Sequence, residues 1–153
     1  MRIMFICTGN ICRSAMAEGM MKKLIEEKNI DAQIFSCGIY AETGDYATYN
    51  AIEAVKDYEV DISSHRATNI RDSKIKEMDL ILCATVSHKQ SVLYLYPELT
   101  WKIYTMKEHA GIDKDGQDLD IKDPWGYDLD VYHHCALEIK ECLDKIVKKI
   151  KSK

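Results

Sequence analysis

Short apolar runs alternate along the chain with longer segments that are apolar on one side only. Arg2 to Cys7 is a near-continuous hydrophobic run, long enough for one buried strand and too short for a helix. From Ser14 to about Lys28 the period changes. Met16, Met20, Leu24 and Ile25 recur on one face with Glu and Lys elsewhere, which predicts an amphipathic helix. Ala32 to Cys37 reads as a second strand ended by Gly38, and Thr48 to Tyr58 as a helix with Ala51, Ile52 and Val55 pointing one way. Asp79 to Ala84 is a third buried strand, followed by a helix from Ser87 to Tyr96 that Pro97 ends. Trp101 to Met106 predicts a fourth strand. Val131, Cys135, Ile139, Cys142, Ile146 and Ile150 mark a long last helix with a single apolar stripe.

Strands that are near-continuous apolar runs, alternating with helices, indicate an α/β fold with a parallel sheet covered on both faces. No repeat, low-complexity tract or linker divides residues 1–153, so a single domain is expected. Only the stretch from Gly111 to Asp128 is too long for a plain connection. In open sheets of this kind ligands bind beyond the carboxyl ends of the strands, and Cys7 stands at such an end.

Composition narrows the function classes. With 153 residues, 46% hydrophobic and 30% charged, the chain can bury about 70% of its unfolded surface, as an ordinary globular domain does. Its 21 Lys and Arg against 25 Asp and Glu give a net charge of −4, without the basic excess a nucleic-acid partner requires. No apolar run approaches the roughly 18 residues of a membrane span, so no membrane partner is expected. The first apolar run stops at Thr8-Gly9-Asn10 without a small-residue cleavage pattern, which argues against a signal peptide. Six cysteines at irregular spacing read as free thiols in a reducing, cytoplasmic setting. Cys37, Cys83, Cys135 and Cys142 sit in apolar stretches and are expected in the core. Cys7 and Cys12 lie instead in a polar, glycine-containing turn.

That turn, Cys7-Thr8-Gly9-Asn10-Ile11-Cys12-Arg13-Ser14, joins a buried strand to a helix amino terminus. There, backbone N–H groups turn inward and the helix dipole adds positive potential, which suits an oxyanion. Gly9 and Asn10 tolerate the left-handed dihedrals of a tight loop. Arg13 supplies a planar, permanently charged fork for two phosphate oxygens. The same amides, dipole and guanidinium favour a thiolate at Cys7, the form in which cysteine is a nucleophile, and Ser14 can add a hydrogen bond. A nucleophile alone leaves the departing oxygen without a proton. Asp123, in Asp123-Pro124-Trp125-Gly126, is the candidate acid, stiffened by the adjacent proline. The acidic residues Asp113, Asp115, Asp118 and Asp120 do not form a calcium loop, because Gly111 and Lys122 stand where acids are needed around Gly116. No ligand set for another metal is evident, so neither metal nor cofactor is expected.

Cys-Thr-Gly-Asn-Ile-Cys-Arg-Ser, with Asp-Pro-Trp-Gly near the carboxyl end, resembles the low-molecular-weight protein tyrosine phosphatase family over essentially the whole chain. The resemblance implies a three-layer sandwich, a four-stranded parallel sheet flanked by helices, with the phosphate-binding loop between the first strand and first helix. It also implies metal-free, two-step hydrolysis of a phosphorylated protein side chain, releasing inorganic phosphate. Carried over by motif position, Cys7 is the nucleophile, Arg13 the phosphate clamp and Asp123 the acid. Thr8, Gly9, Asn10, Ile11, Cys12 and Ser14 surround the phosphate; Tyr40 and Trp125 join Ile11 as pocket walls. Ser36 and His65 belong with Asn10 and Ser14 to a supporting network. Cys12 matches a second loop cysteine that in this family pairs reversibly with the nucleophile.

Three rivals share parts of this pattern. Thiol-dependent arsenate reductases need a further pair of redox cysteines, whereas Cys83 is followed by Thr85-Val86-Ser87-His88 with no second cysteine. Bacterial protein arginine phosphatases resemble the chain in Gly38-Ile39-Tyr40-Ala41 and Ser87-His88-Lys89-Gln90, yet carry a threonine where this loop has Ile11. A branched aliphatic wall suits the face of an aromatic ring, which favours phosphotyrosine over phosphoarginine. A non-catalytic phosphate-binding or redox module has no need of an acid such as Asp123.

Overall fold

The computed structural model describes residues 1–112 and 118–151. Four parallel strands, β1 (Arg2–Cys7), β2 (Gln33–Gly38), β3 (Leu80–Cys83) and β4 (Ile103–Thr105), form one sheet in the order β2-β1-β3-β4. The helices are α1 (Arg13–Glu27), α2 (Tyr49–Val55), α3 (Val86–Leu95), α4 (Met106–Ala110) and α5 (Leu129–Lys151). The three-layer arrangement expected from the sequence is the one observed.

Alternation along the strands divides the core in two. Ile3, Phe5 and Cys7 of β1, with Leu80 and Leu82 of β3, pack toward α1, α2, α4 and α5. Met4 and Ile6, with Ile81 and Cys83, face the opposite layer, where Val92 of α3 meets Ile70, Ile75 and Leu99. Successive side chains of a strand point to opposite faces, so a strand buried on both sides is apolar along nearly its whole length. That is the physical origin of the continuous runs.

Two elements depart from expectation. The fourth strand is only Ile103–Thr105, because Pro97–Lys102 forms a 3₁₀ turn that leaves Trp101 72% exposed. The chain then enters α4 at Met106: the Thr105 hydroxyl accepts from the Glu108 N–H while the Glu108 carboxylate accepts from the Thr105 N–H, a capping box. The second helix likewise stops at Val55 and continues as a 3₁₀ turn over Lys56–Tyr58. Among the described residues no helix is long and apolar enough to cross a membrane.

With β1 between β2 and β3, the chain leaves the carboxyl ends of β1 and β3 in opposite directions around the sheet. A crevice opens where such connections diverge. The segments after Cys7 and after Cys83 both border it.

Candidate active site

Cys7 closes β1 and is 2% exposed. The loop that follows turns through Asn10, which is fully buried in a left-handed conformation (φ 57°). Asparagine enters that region at modest cost because its amide can bond locally. At Cys12 the helix α1 begins with no side-chain cap, whereas Thr48, Thr85 and Thr105 cap α2, α3 and α4. The first N–H groups of α1 thus face the loop, and the helix dipole makes them an oxyanion site. Gly38, at the end of β2, allows this approach: a β-carbon there would lie 2.6 Å from the Thr8 carbonyl oxygen and 2.8 Å from the Asn10 nitrogen.

A buried network fixes the loop from behind. The Asn10 amide nitrogen donates to Ser14 Oγ at 2.8 Å and to Ser36 Oγ at 2.9 Å, while its oxygen accepts from the Thr68 N–H at 2.9 Å. Because that nitrogen can only donate, Ser14 accepts from it and keeps its own hydrogen for Cys7 Sγ, 2.9 Å away. Ser36 passes its hydrogen to the Glu18 carboxylate. His65 Nε2 donates to the Asn10 carbonyl at 2.7 Å, and its Nδ1 lies 3.8 Å from Glu18 Oε1. The sequence-derived residues Asn10, Ser14, Ser36 and His65 are therefore brought together.

Arg13 is 3% exposed. Its Nη1 donates to the Ile121 carbonyl at 2.9 Å, its Nη2 stands 3.6 Å from Asp123 Oδ2, and its Nε is buried with no partner among the described residues. A buried donor without an acceptor costs about 1–3 kcal/mol. An anion against the guanidinium removes that cost. Asp123 itself is half exposed and accepts from the Trp125 N–H at 3.1 Å. Cys7, Arg13 and Asp123 line one cleft of about 280 Å³, together with Thr8, Gly9 and Cys12 in the loop and with Ile11 and Trp125 as apolar walls. Tyr40 is not among its walls: it stands 79% exposed over a neighbouring groove.

Several partners escaped the sequence. His88 of α3 is buried between two hydroxyls, with Nε2 2.8 Å from Thr8 Oγ1 and Nδ1 2.8 Å from Thr85 Oγ1. Burial, and then the charge of Arg13, push its pKa down to about 4, so the ring is neutral near pH 7. The segment carrying Asp123 is tied to the start of the same helix and the turn before it: the Asp120 carboxylate accepts from the Val86 N–H at 2.8 Å, and the Ile121 N–H donates to the Ala84 carbonyl at 2.9 Å. Glu18 was legible in principle, lying one helical turn after Ser14 on the same face of α1. His88 was not, since its approach to Thr8 depends on β3 pairing with β1.

The remaining thiols occupy other surroundings. Burial pushes Cys37, Cys135 and Cys142 up to about 12 and raises Cys83 as well. Cys83 is fully buried in β3. Cys12, also raised by burial, lies 3.3 Å from the Tyr132 hydroxyl. All six cysteines are free. Asp113, Asp115 and Gly116 lie outside the described residues, among which no group of three or more His, Cys, Asp or Glu side chains could hold a metal.

The family model described as low molecular weight phosphotyrosine protein phosphatase matches residues 2–153. A protein-arginine-phosphatase of Bacillus subtilis is 31% identical over 151 residues, covering 99% of this chain and 97% of that one. Arsenate reductase 1 of Staphylococcus saprophyticus is 34% identical over 143 residues, or 94% and 93% of the two chains. The solved low molecular weight protein tyrosine phosphatase of T. tengcongensis superposes with a TM-score of 0.90 at 40% identity, covering 97% of this chain and 99% of that one.

Proposed function

The chain belongs to the low molecular weight phosphotyrosine protein phosphatase family, and on that premise we propose that it hydrolyses phosphotyrosine in proteins through a phosphorylated Cys7. One observation carries the reading: a hydroxyl-held thiol, a buried guanidinium with an unpartnered Nε and a carboxylate meet in a single cleft. Binding alone has no use for the thiol, and redox sensing has none for the carboxylate.

In the first step Cys7 Sγ attacks phosphorus, an S–P bond forms, and the bond to the leaving oxygen breaks as Asp123 gives that oxygen its proton. Arg13 and the α1 amides balance the charge on the three equatorial oxygens. In the second step water attacks phosphorus, Asp123 takes the water's proton, and the S–P bond breaks to release phosphate and the thiolate. The half-exposed position of Asp123 supports this second role, since a water molecule has to reach it.

Ile11 and Trp125 favour an aromatic leaving group over a guanidinium. Free cysteines suit a reducing compartment, so we place the reaction in the cytoplasm. Comparison of kcat/KM on matched phosphotyrosine and phosphoarginine peptides tests the substrate class. Phosphotyrosine is expected to be preferred by at least tenfold, about 1.4 kcal/mol at the transition state. A clear preference for phosphoarginine overturns the assignment and makes this chain a functional counterpart of its B. subtilis relative.

A further inference from the structure

Tyr94 and Tyr40, at 86% and 79%, are the most exposed large apolar side chains among the described residues, and both line one groove of about 440 Å³ beside the catalytic cleft. Large apolar groups scattered singly are ordinary; two of this size sharing a groove mark an interaction surface. One wall is a face of α3: Ser87, Gln90, Ser91 and Tyr94 recur at the spacing of a single helical stripe, while His88 and Val92 on the other side are buried. Ile39 and Tyr40 also line it, with Arg71 contributing a charge.

The groove begins at the catalytic loop. The Tyr40 N–H donates to the Thr8 carbonyl at 2.9 Å, and Ser87 precedes the histidine whose ring meets the Thr8 hydroxyl. It therefore continues directly from the residue after Cys7. From Ser87 to Tyr94 the helix advances about 10 Å, the length of roughly three residues of extended chain. Ile70, the neighbour of Arg71, packs in the same cluster as Tyr96, just past the carboxyl end of α3, which puts Arg71 toward the far end. Arg71 makes no ion pair among the described residues, and its neighbour Asp72 is engaged by the Thr43 hydroxyl at 2.7 Å.

We propose that this groove docks the polypeptide flanking the phosphorylated residue. Its backbone lies between Tyr40 and Tyr94, and an acidic side chain three or four positions from the phosphorylated residue pairs with Arg71. The proposal rests on the phosphatase reading given above. Tyr40 then acts on the substrate's chain, beyond the catalytic cleft itself.

The test compares three substrates: a phosphotyrosine peptide with Glu three and four residues to either side, the same peptide with Ala at those positions, and p-nitrophenyl phosphate. They are assayed with the wild-type protein and with Arg71→Glu and Tyr94→Ala, both exposed positions whose replacement leaves the core intact. The wild type is expected to prefer the acidic peptide about fivefold in kcat/KM, and Arg71→Glu to abolish that preference. Tyr94→Ala is expected to lower both peptides about fivefold, with p-nitrophenyl phosphate within twofold in every variant. Equal turnover of the two peptides by the wild type, or a parallel loss on p-nitrophenyl phosphate, overturns the groove proposal alone. Absence of wild-type turnover on p-nitrophenyl phosphate overturns the phosphatase reading beneath it.

Discussion

Cys7 and Asp123 flank the same cleft in opposite kinds of surroundings. The thiol is almost wholly buried at the end of a central strand, in a loop fixed by Asn10, Ser14, Ser36, Glu18 and His65. The carboxylate is 54% exposed in a segment without helix or strand, held by its own turn to Trp125 and a 3.6 Å approach to Arg13. The proposed mechanism accounts for the difference by what each group has to do. A nucleophile gains from donors set before the substrate arrives, because reorganising them during the reaction would add to the barrier. An acid that later becomes a base has to meet both a leaving group and a water molecule, and burial would bar the second. Damage to the exposed side should therefore register in rate, and damage to the buried side in stability as well.

On the exposed side the expected effect is a large one on rate. Asp123→Ala should slow turnover by about 10²–10⁴-fold on aryl phosphates with poor leaving groups, and far less on those with good ones. Its unfolding midpoint should stay within about 0.5 kcal/mol of the wild type, as for most surface substitutions. Equal slowing across leaving groups of different acidity would remove Asp123 from the acid role.

On the buried side the smaller effect is thermodynamic. Unfolded, His88 takes up a proton near its ordinary pKa of about 6.5; folded, it does so only near 4. Between those values the unfolded chain binds more protons, so stability is fully present above pH 6.5 and declines as pH falls toward 4. The loss from this one ring is about 3 kcal/mol. Urea unfolding of the wild type and His88→Gln at pH 7 and pH 4.5 checks it: the variant should lose less stability between the two. An identical loss in both proteins would show that His88 takes no part.

Legibility in the sequence follows the same division. Near-continuous apolar runs gave away the sheet, because strands covered on both faces bury most of their side chains, and a polar one such as Ser36 is kept where it is hydrogen-bonded. The loop from Cys7 to Ser14 was legible because the function proposed for it depends on local spacing, with Cys7 and Arg13 on either side of one turn. Contacts that depend on strand order were hidden: His88 reaches Thr8 only because β3 lies beside β1. Thr105 and Glu108 formed a readable capping box, but it sat against the end of an apolar strand whose pattern masked it. Tyr40 shows a third limit. Its position two residues after Gly38 was plain, yet its place in the outer groove is set by the chain's path after β2.

The cysteinyl-phosphate intermediate can be sought directly. Asp123→Ala, mixed with an aryl phosphate that has a good leaving group, forms the adduct readily and hydrolyses it slowly, so acid quench and mass spectrometry of its peptides should catch it. One added phosphoryl group is expected on the peptide containing Cys7, and none after Cys7→Ser, which should also lack turnover. A phosphoryl group on another peptide, or steady turnover in Cys7→Ser, would contradict the assignment of Cys7 as nucleophile.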